Sequence, residues 1–206
     1  MRAKYVFLLA QIRLLSNELL PTPSPTSSYT PGEVLRMFAF RISAHAEIEG
    51  FIEYCAETLM THLATKNNAK TLAYSTQKAL LLYKDMNKQF PPQSISFQVP
   101  SGGTADKIRS VLNAVESSIA TNNGVSEKDI LKLFVPLGVS LNFFEENWLR
   151  SMTDLARARG EAAHNSWVSS NTVQQPDPIT ERSRLVLPLR GIGKLVDELE
   201  RLRAVA

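Results

Sequence analysis

The chain has 206 residues, 44% of them hydrophobic, which is enough for one sizeable core and excludes a disordered chain. Its formal net charge is +3 with a pI near 9.0, which admits an RNA partner but falls short of the charge density of a dedicated duplex-DNA binder. The single cysteine, Cys55, excludes an intrachain disulfide and a thiolate-built metal site, and it fits a reducing, cytoplasmic setting.

In chain order, Arg2 and Lys4 precede the run YVFLLA, but Gln11 and Arg13 cut that run short and no small-residue cleavage site follows. Tyr5, Leu8, Leu9, Ile12, Leu15 and Leu19 recur at helical spacing, so this stretch is expected to be an amphipathic helix rather than a signal peptide. The Pro/Ser/Thr-rich stretch from Pro21 to Gly32 predicts a loop, with Pro31 suited to the start of the next helix. From about Glu33 to Leu63 a long helix is predicted. Phe38, Ile42, His45, Ile48, Glu49, Ile52, Cys55, Ala56 and Leu59 lie close to one stripe, which marks this helix as the spine of the core.

A further helical pattern covers about Ala69 to Asn87. The proline- and glycine-rich stretch from Phe90 to Gly103 then reads as a loop, in which the alternating Ile95, Phe97 and Val99 permit a short extended piece. A helix is predicted from about Ala105 to Thr121, and Ser126–Asp129 reads as a capping signal before ILKLFVPLGV. Another helix is expected over Asn142–Ala163, carrying Phe143, Phe144, Trp148, Met152 and Leu155. After the loop SSNTVQQPDP, the stretch Ile179–Arg203 is amphipathic through Leu185, Leu187, Leu195, Leu199 and Leu202. Pro188 and Gly191 are expected to split it. No segment is long and apolar enough to span a bilayer, so no membrane partner is expected. The fold class is all-α, a bundle of antiparallel helices. One domain is expected over residues 1–206, with 1–30 as the N-terminal helix and its loop and 31–206 as the main bundle.

Three histidines are available for chemistry. His45 lies on the apolar stripe of the long helix and is expected to be a core histidine with a hydrogen-bond partner. His62 falls near that helix's C-terminal end, where a cation suits the helix dipole. No His/Glu pair has a metalloprotease spacing, no Cys/His cluster exists and no Gly-rich phosphate loop follows a strand, so neither a metal nor a cofactor is expected. His164 has different neighbours. At about 100° per residue, Arg157 and His164 nearly share a helix face, and Glu161 neighbours both. Arg159 lies off that face, unless Gly160 weakens the helix enough to bring it round. On spacing alone the group reads first as a surface Arg157–Glu161 pair beside a histidine, and only second as a site.

The stretch RGEAAH, Arg159 to His164, resembles the Arg-x4-His signature of the HEPN superfamily. The longer run from Leu133 to Ser166 is similar to the C-terminal half of that family, in which an LGV-type turn leads into the helix that ends in the motif. Phe40–Leu59, with Glu49 and Glu53, resembles the family's long early helix. The RiboL-PSP-type HEPN branch is the nearest in kind. The chain departs from common patterns at Gly160, where many HEPN ribonucleases carry Asn, Asp or His, and at Ser166, where some carry Tyr.

The resemblance implies a metal-independent endoribonuclease with Arg159 and His164 as catalytic residues. Arg157 satisfies the motif's spacing at its long end, so the arginine stays open between the two. Glu161, Glu49, Arg157 and Asn165 are the expected supporting residues. An imidazole that titrates near neutrality suits removal of the 2′-OH proton, and a guanidinium suits the charge gathered on the phosphorane. The family arrangement implies a homodimer that brings two Arg/His sets to one RNA groove. The role implied is that of a toxin or antiviral defence effector, with an antitoxin or defence-system partner protein. The alternatives are a non-catalytic HEPN module that binds RNA or a protein partner, and a structural helical protein in which His164 is incidental.

Overall fold

A computed structural model describes residues 1–26, 28–65, 104–164 and 176–205. The expected helix at 69–87, the loop and extended piece at 90–103, and Asn165 and Ser166 lie outside the described residues. Within them the chain is helical and contains no strand. The helices are α1 (Arg2–Leu19), α2 (Pro31–Thr65), α3 (Thr104–Ala120), α4 (Glu127–Phe134), α5 (Glu146–His164), α6 (Pro178–Arg184) and α7 (Val186–Val205). A short 3-10 turn, Leu141–Phe143, precedes α5.

The 35-residue α2 is the spine, and every other described helix packs against it. Its start is fixed locally. Pro31 needs no hydrogen-bond partner at the first helical position, and Thr30 and Glu33 cap each other: the Thr30 N–H donates to Glu33 Oε2 at 2.8 Å, and the Glu33 N–H to Thr30 Oγ1 at 3.3 Å. Met37, Phe40, Ala44, Ile48, Ile52, Cys55, Ala56 and Leu59 are all buried along it. The α1 helix runs back along α2, with the Tyr5 ring against Phe51 and Lys4 over Tyr54. Leu8 and Ile12 are its buried residues, whereas Leu9, expected on the inward stripe, is exposed together with Val6, Phe7 and Leu14.

The entry to α5 is built by two local devices. Before α4, the Ser126 N–H and hydroxyl both donate to Asp129 Oδ2, at 3.0 and 2.6 Å, so aspartate serves where the capping signal commonly has glutamate. After α4 the chain turns at Gly138, whose φ of 98° is open to glycine and strained for other residues. There the Val139 N–H bonds the Phe134 carbonyl and the Gly138 N–H the Val135 carbonyl, the paired bonds of a Schellman ending. Helix α5 then starts at Glu146, not at Asn142. The Ser140 hydroxyl accepts from the Asn142 N–H, and Phe144 stays extended so that its ring stacks on Trp148, 7° from parallel.

The last stretch also departs from expectation. The break falls at Leu185, between α6 and α7, not at Pro188 or Gly191. Pro188 sits in the first turn of α7, where a missing N–H costs nothing. Its carbonyl accepts from Trp148 Nε1 at 3.2 Å, and Gly191 lies so close to the Trp148 ring that a Cβ would overlap it. The glycine permits close helix packing and does not break the helix. Leu185, Leu195, Leu199 and Leu202 are buried as expected, whereas Leu187 is exposed.

Candidate functional site

Helix α5 runs unbroken from Glu146 to His164, so Gly160 neither kinks nor ends it, and a Cβ at Gly160 would meet open space. This settles which way the two arginines point. Arg157 is on the surface, 70% exposed, and pairs at 2.7 Å with Asp154 one turn before it. The expected Arg157–Glu161 pair does not form, and Glu161 is exposed. Arg159 is half-buried, and its charge lies near enough to α2 to bear on His45 and Glu49. His164 closes the helix.

Arg159 faces a polar ladder on the spine. Arg41, His45, Glu49 and Glu53 follow one another at four-residue spacing, so they share a face of α2. His45 is 2% exposed, with Nδ1 3.6 Å from Glu49 Oε2, too long for a good hydrogen bond. It is the core histidine expected, with no close hydrogen-bond partner for its side chain among the described residues. Burial pushes its pKa down to about 4, helped by the Arg159 guanidinium and opposed by Asp129. Burial and the neighbouring Glu53 push the Glu49 carboxyl above its usual range, Arg159 draws it back, and Asp129 raises it further. Glu49 Oε1 is buried with no hydrogen-bond partner among the described residues. Asn122 Nδ2 donates to Glu53 Oε1 at 2.7 Å and ties the loop before α4 to the ladder.

The first rung is a buried ion pair. Arg41 is 7% exposed and Glu181 of α6 is 1% exposed. Arg41 Nε donates to Glu181 Oε2 at 3.0 Å, its second amino group to Oε1 at 2.5 Å, and the remaining one to the Ala158 carbonyl at 3.5 Å. The Phe38 ring lies beside the guanidinium, 5.4 Å from its carbon. Sequence reasoning placed Ile42 on the inward stripe and passed over Arg41. In the fold Arg41 is buried and Ile42 is partly exposed, because the ion pair with Glu181 compensates the charge. The four-residue spacing of Arg41, His45, Glu49 and Glu53 was the signal that could have found the ladder.

His62 lies in the last turn of α2, about five turns of helix beyond His45. No group of three or more His, Cys, Asp or Glu residues is placed to hold a metal ion among the described residues. No helix among the described residues is long and apolar enough to cross a membrane.

The class defined so far is a helical bundle in which an arginine near the end of one helix lies within electrostatic reach of a polar ladder on a long spine. The sequence model of the RiboL-PSP-HEPN family matches residues 8–182, so the chain belongs to that HEPN-type family. No curated protein and no solved structure matches the chain.

Proposed function

We propose that the chain is a metal-independent endoribonuclease of HEPN type that acts as a homodimer, with Arg159 and His164 as its catalytic residues. The observation that carries the reading is the half-buried setting of Arg159, within electrostatic reach of Glu49 and His45, on the helix that ends in His164, within a chain of the RiboL-PSP-HEPN family. Arg157, spent on a surface pair with Asp154, is the weaker claimant to the motif arginine.

The chemistry follows from RNA itself. His164 takes the 2′-OH proton as that oxygen attacks the adjacent phosphorus and the P–O2′ bond forms. Arg159 neutralises the charge on the non-bridging oxygens with its planar fork of donors. The P–O5′ bond then breaks, and the 5′-oxygen takes its proton from the imidazolium of the second copy. The products are a 2′,3′-cyclic phosphate and a 5′-hydroxyl, and DNA, lacking the 2′-OH, resists cleavage. Glu49 lies within electrostatic reach of Arg159 and favours a charged guanidinium at this end of the helix. A toxin or defence role, with a partner protein that restrains the enzyme, fits such an activity.

The test is incubation of purified protein with single-stranded RNA in EDTA beside His164→Ala. Cleavage that ends in cyclic phosphate and disappears in the variant supports the proposal. RNA that binds but stays intact with both proteins would replace it with a non-catalytic RNA-binding module, the reading to which Gly160 also leans.

A further inference from the structure

The Arg41–Glu181 pair is more than a buried ion pair between two helices. Arg41 sits on α2, Glu181 on α6, and the guanidinium also reaches the carbonyl of Ala158, the residue before Arg159. One side chain therefore touches the spine, the turn that carries the motif arginine, and the first described helix after the motif histidine. We infer that Arg41 and Glu181 are positioning residues that fix the end of α5, and with it Arg159 and His164, relative to α2.

Three observations support this beyond the contacts themselves. First, the pair is deeply enclosed, and an enclosed ion pair is a poor source of stability. Charges taken out of water lose hydration that their mutual attraction barely restores, so apolar residues of similar volume commonly serve the fold as well or better. What an ion pair adds is direction: the Arg41 fork accepts one carboxylate orientation, with both Glu181 oxygens engaged. Secondly, α6 is already held by other contacts. Asp177 caps it through the Thr180 N–H at 2.8 Å, Tyr29 donates to Asp177, and Arg182 donates to Ser16 of α1. None of these reaches α5, whereas Arg41 does. Thirdly, a second guanidinium, Arg184 of the same helix, lies 3.8 Å from Glu181 Oε1, so the carboxylate that Arg41 grips stays charged within a cluster of cations.

The inference rests on the proposed ribonuclease site, and the experiment separates the two. The key protein is the double variant Arg41→Met with Glu181→Leu, which removes both charges together and leaves neither stranded. Three quantities are read: the melting temperature, amide hydrogen exchange over residues 158–164, and kcat and KM on single-stranded RNA. The expected result is a melting temperature at or above that of the parent protein, exchange at the end of α5 faster by about tenfold or more, and kcat lower by about 10- to 100-fold with KM little changed, as a shift of about an ångström in catalytic groups produces. Arg41→Lys keeps the charge but loses the fork, and it should fall between parent and double variant in exchange and kcat. If the double variant fails to fold, Arg41→Lys decides alone. Parent-like exchange and kcat in whichever variant folds would overturn the inference and leave the pair a structural contact only. If the parent protein cleaves no RNA, the ribonuclease proposal fails, and the exchange measurement still decides whether the pair holds the end of α5.

Discussion

At its N-terminal end α5 turns Trp148, Met152 and Leu155 into an apolar core closed by α2 and α7. About three turns later the same stripe of the helix presents Arg159 to His45 and Glu49. At the first end, packing is close enough that only glycine fits opposite Trp148. At the second, a half-buried arginine lies near a buried histidine and a partly buried carboxylate, and one oxygen of Glu49 has no partner among the described residues. The first arrangement is what burial favours. The second costs stability unless each charge is answered. One helix thus carries its anchoring at one end and its unusual electrostatics at the other, and changes at the two ends should be read out by different measurements.

The largest effect is expected at the charged end, on chemistry alone. His164→Ala should lower RNA cleavage by about 10²–10⁴-fold, the range for loss of a general base, with the melting temperature unchanged. Arg159→Ala should cost a similar factor, and Arg159→Lys should recover only part of it, because an ammonium lacks the planar fork. Product analysis for the cyclic phosphate and a melting curve on the same samples check both halves. A large fall in melting temperature for His164→Ala would erase the contrast between the two ends.

The next effect is a pH dependence of stability that belongs to His45. Its folded pKa is about 4 against an ordinary 6.5, so the unfolded chain binds the proton first as the pH falls. The stability it supports is complete above about 6.5 and is lost as the pH falls from there toward 4, by on the order of 3 kcal/mol. Glu49 acts with the opposite sign. Its raised pKa makes the folded state hold a proton longer, so its contribution falls as the pH rises above the ordinary carboxylate value. Denaturant melts at pH 7 and pH 5 should therefore differ less in His45→Gln than in the parent protein. An equal difference in both would assign the acid sensitivity to other groups.

The apolar end was largely legible in the sequence, and the charged end only in part. The helical spacing of Ile48, Ile52, Cys55, Ala56 and Leu59, and of Trp148, Met152 and Leu155, follows from burying one stripe, and these residues are buried. The motif Arg159–His164 and the placing of His45 and Glu49 on the long helix were also visible. Arg41 and Glu181 were not, because a pair separated by 140 positions has no local signature and each residue alone reads as surface. The Asp154 partner of Arg157 lies one turn before it, and an i,i+3 pair competes on nearly equal terms with the i,i+4 pair to Glu161. Pro188 and Gly191 read as helix breakers until Trp148 is seen to pack against both.

A third prediction probes the apolar end. Gly191→Ala places a methyl group inside the space of the Trp148 ring, which cannot move freely because Nε1 is bonded to the Pro188 carbonyl and Phe144 stacks on its face. The expected cost is about 1–3 kcal/mol of stability, typical of overpacking. It should appear in the midpoint of a urea melt, while cleavage per folded molecule stays at the parent level. A loss of specific activity at constant folded fraction would mean that the two ends of α5 are coupled.

The smallest effect is expected at Arg157, and it is the sharpest control on the choice of arginine. Its pair with Asp154 is exposed to solvent, where water screens the attraction and two mobile side chains must be held to make it. Arg157→Ala should therefore cost at most about 0.5 kcal/mol in a urea melt. It should also leave kcat within about twofold of the parent protein, an energy change well below that of any transition-state contact. Spacing alone favoured Arg157, since it lies seven residues before His164 and nearly shares its face; what weighs against it is that Arg159 is the half-buried arginine whose charge bears on Glu49 and His45. The two single variants decide between these arguments. If Arg157→Ala abolishes cleavage while Arg159→Ala leaves it intact, the surface arginine is the one that meets the phosphate, and Arg159 serves only to offset the partly buried Glu49 of α2.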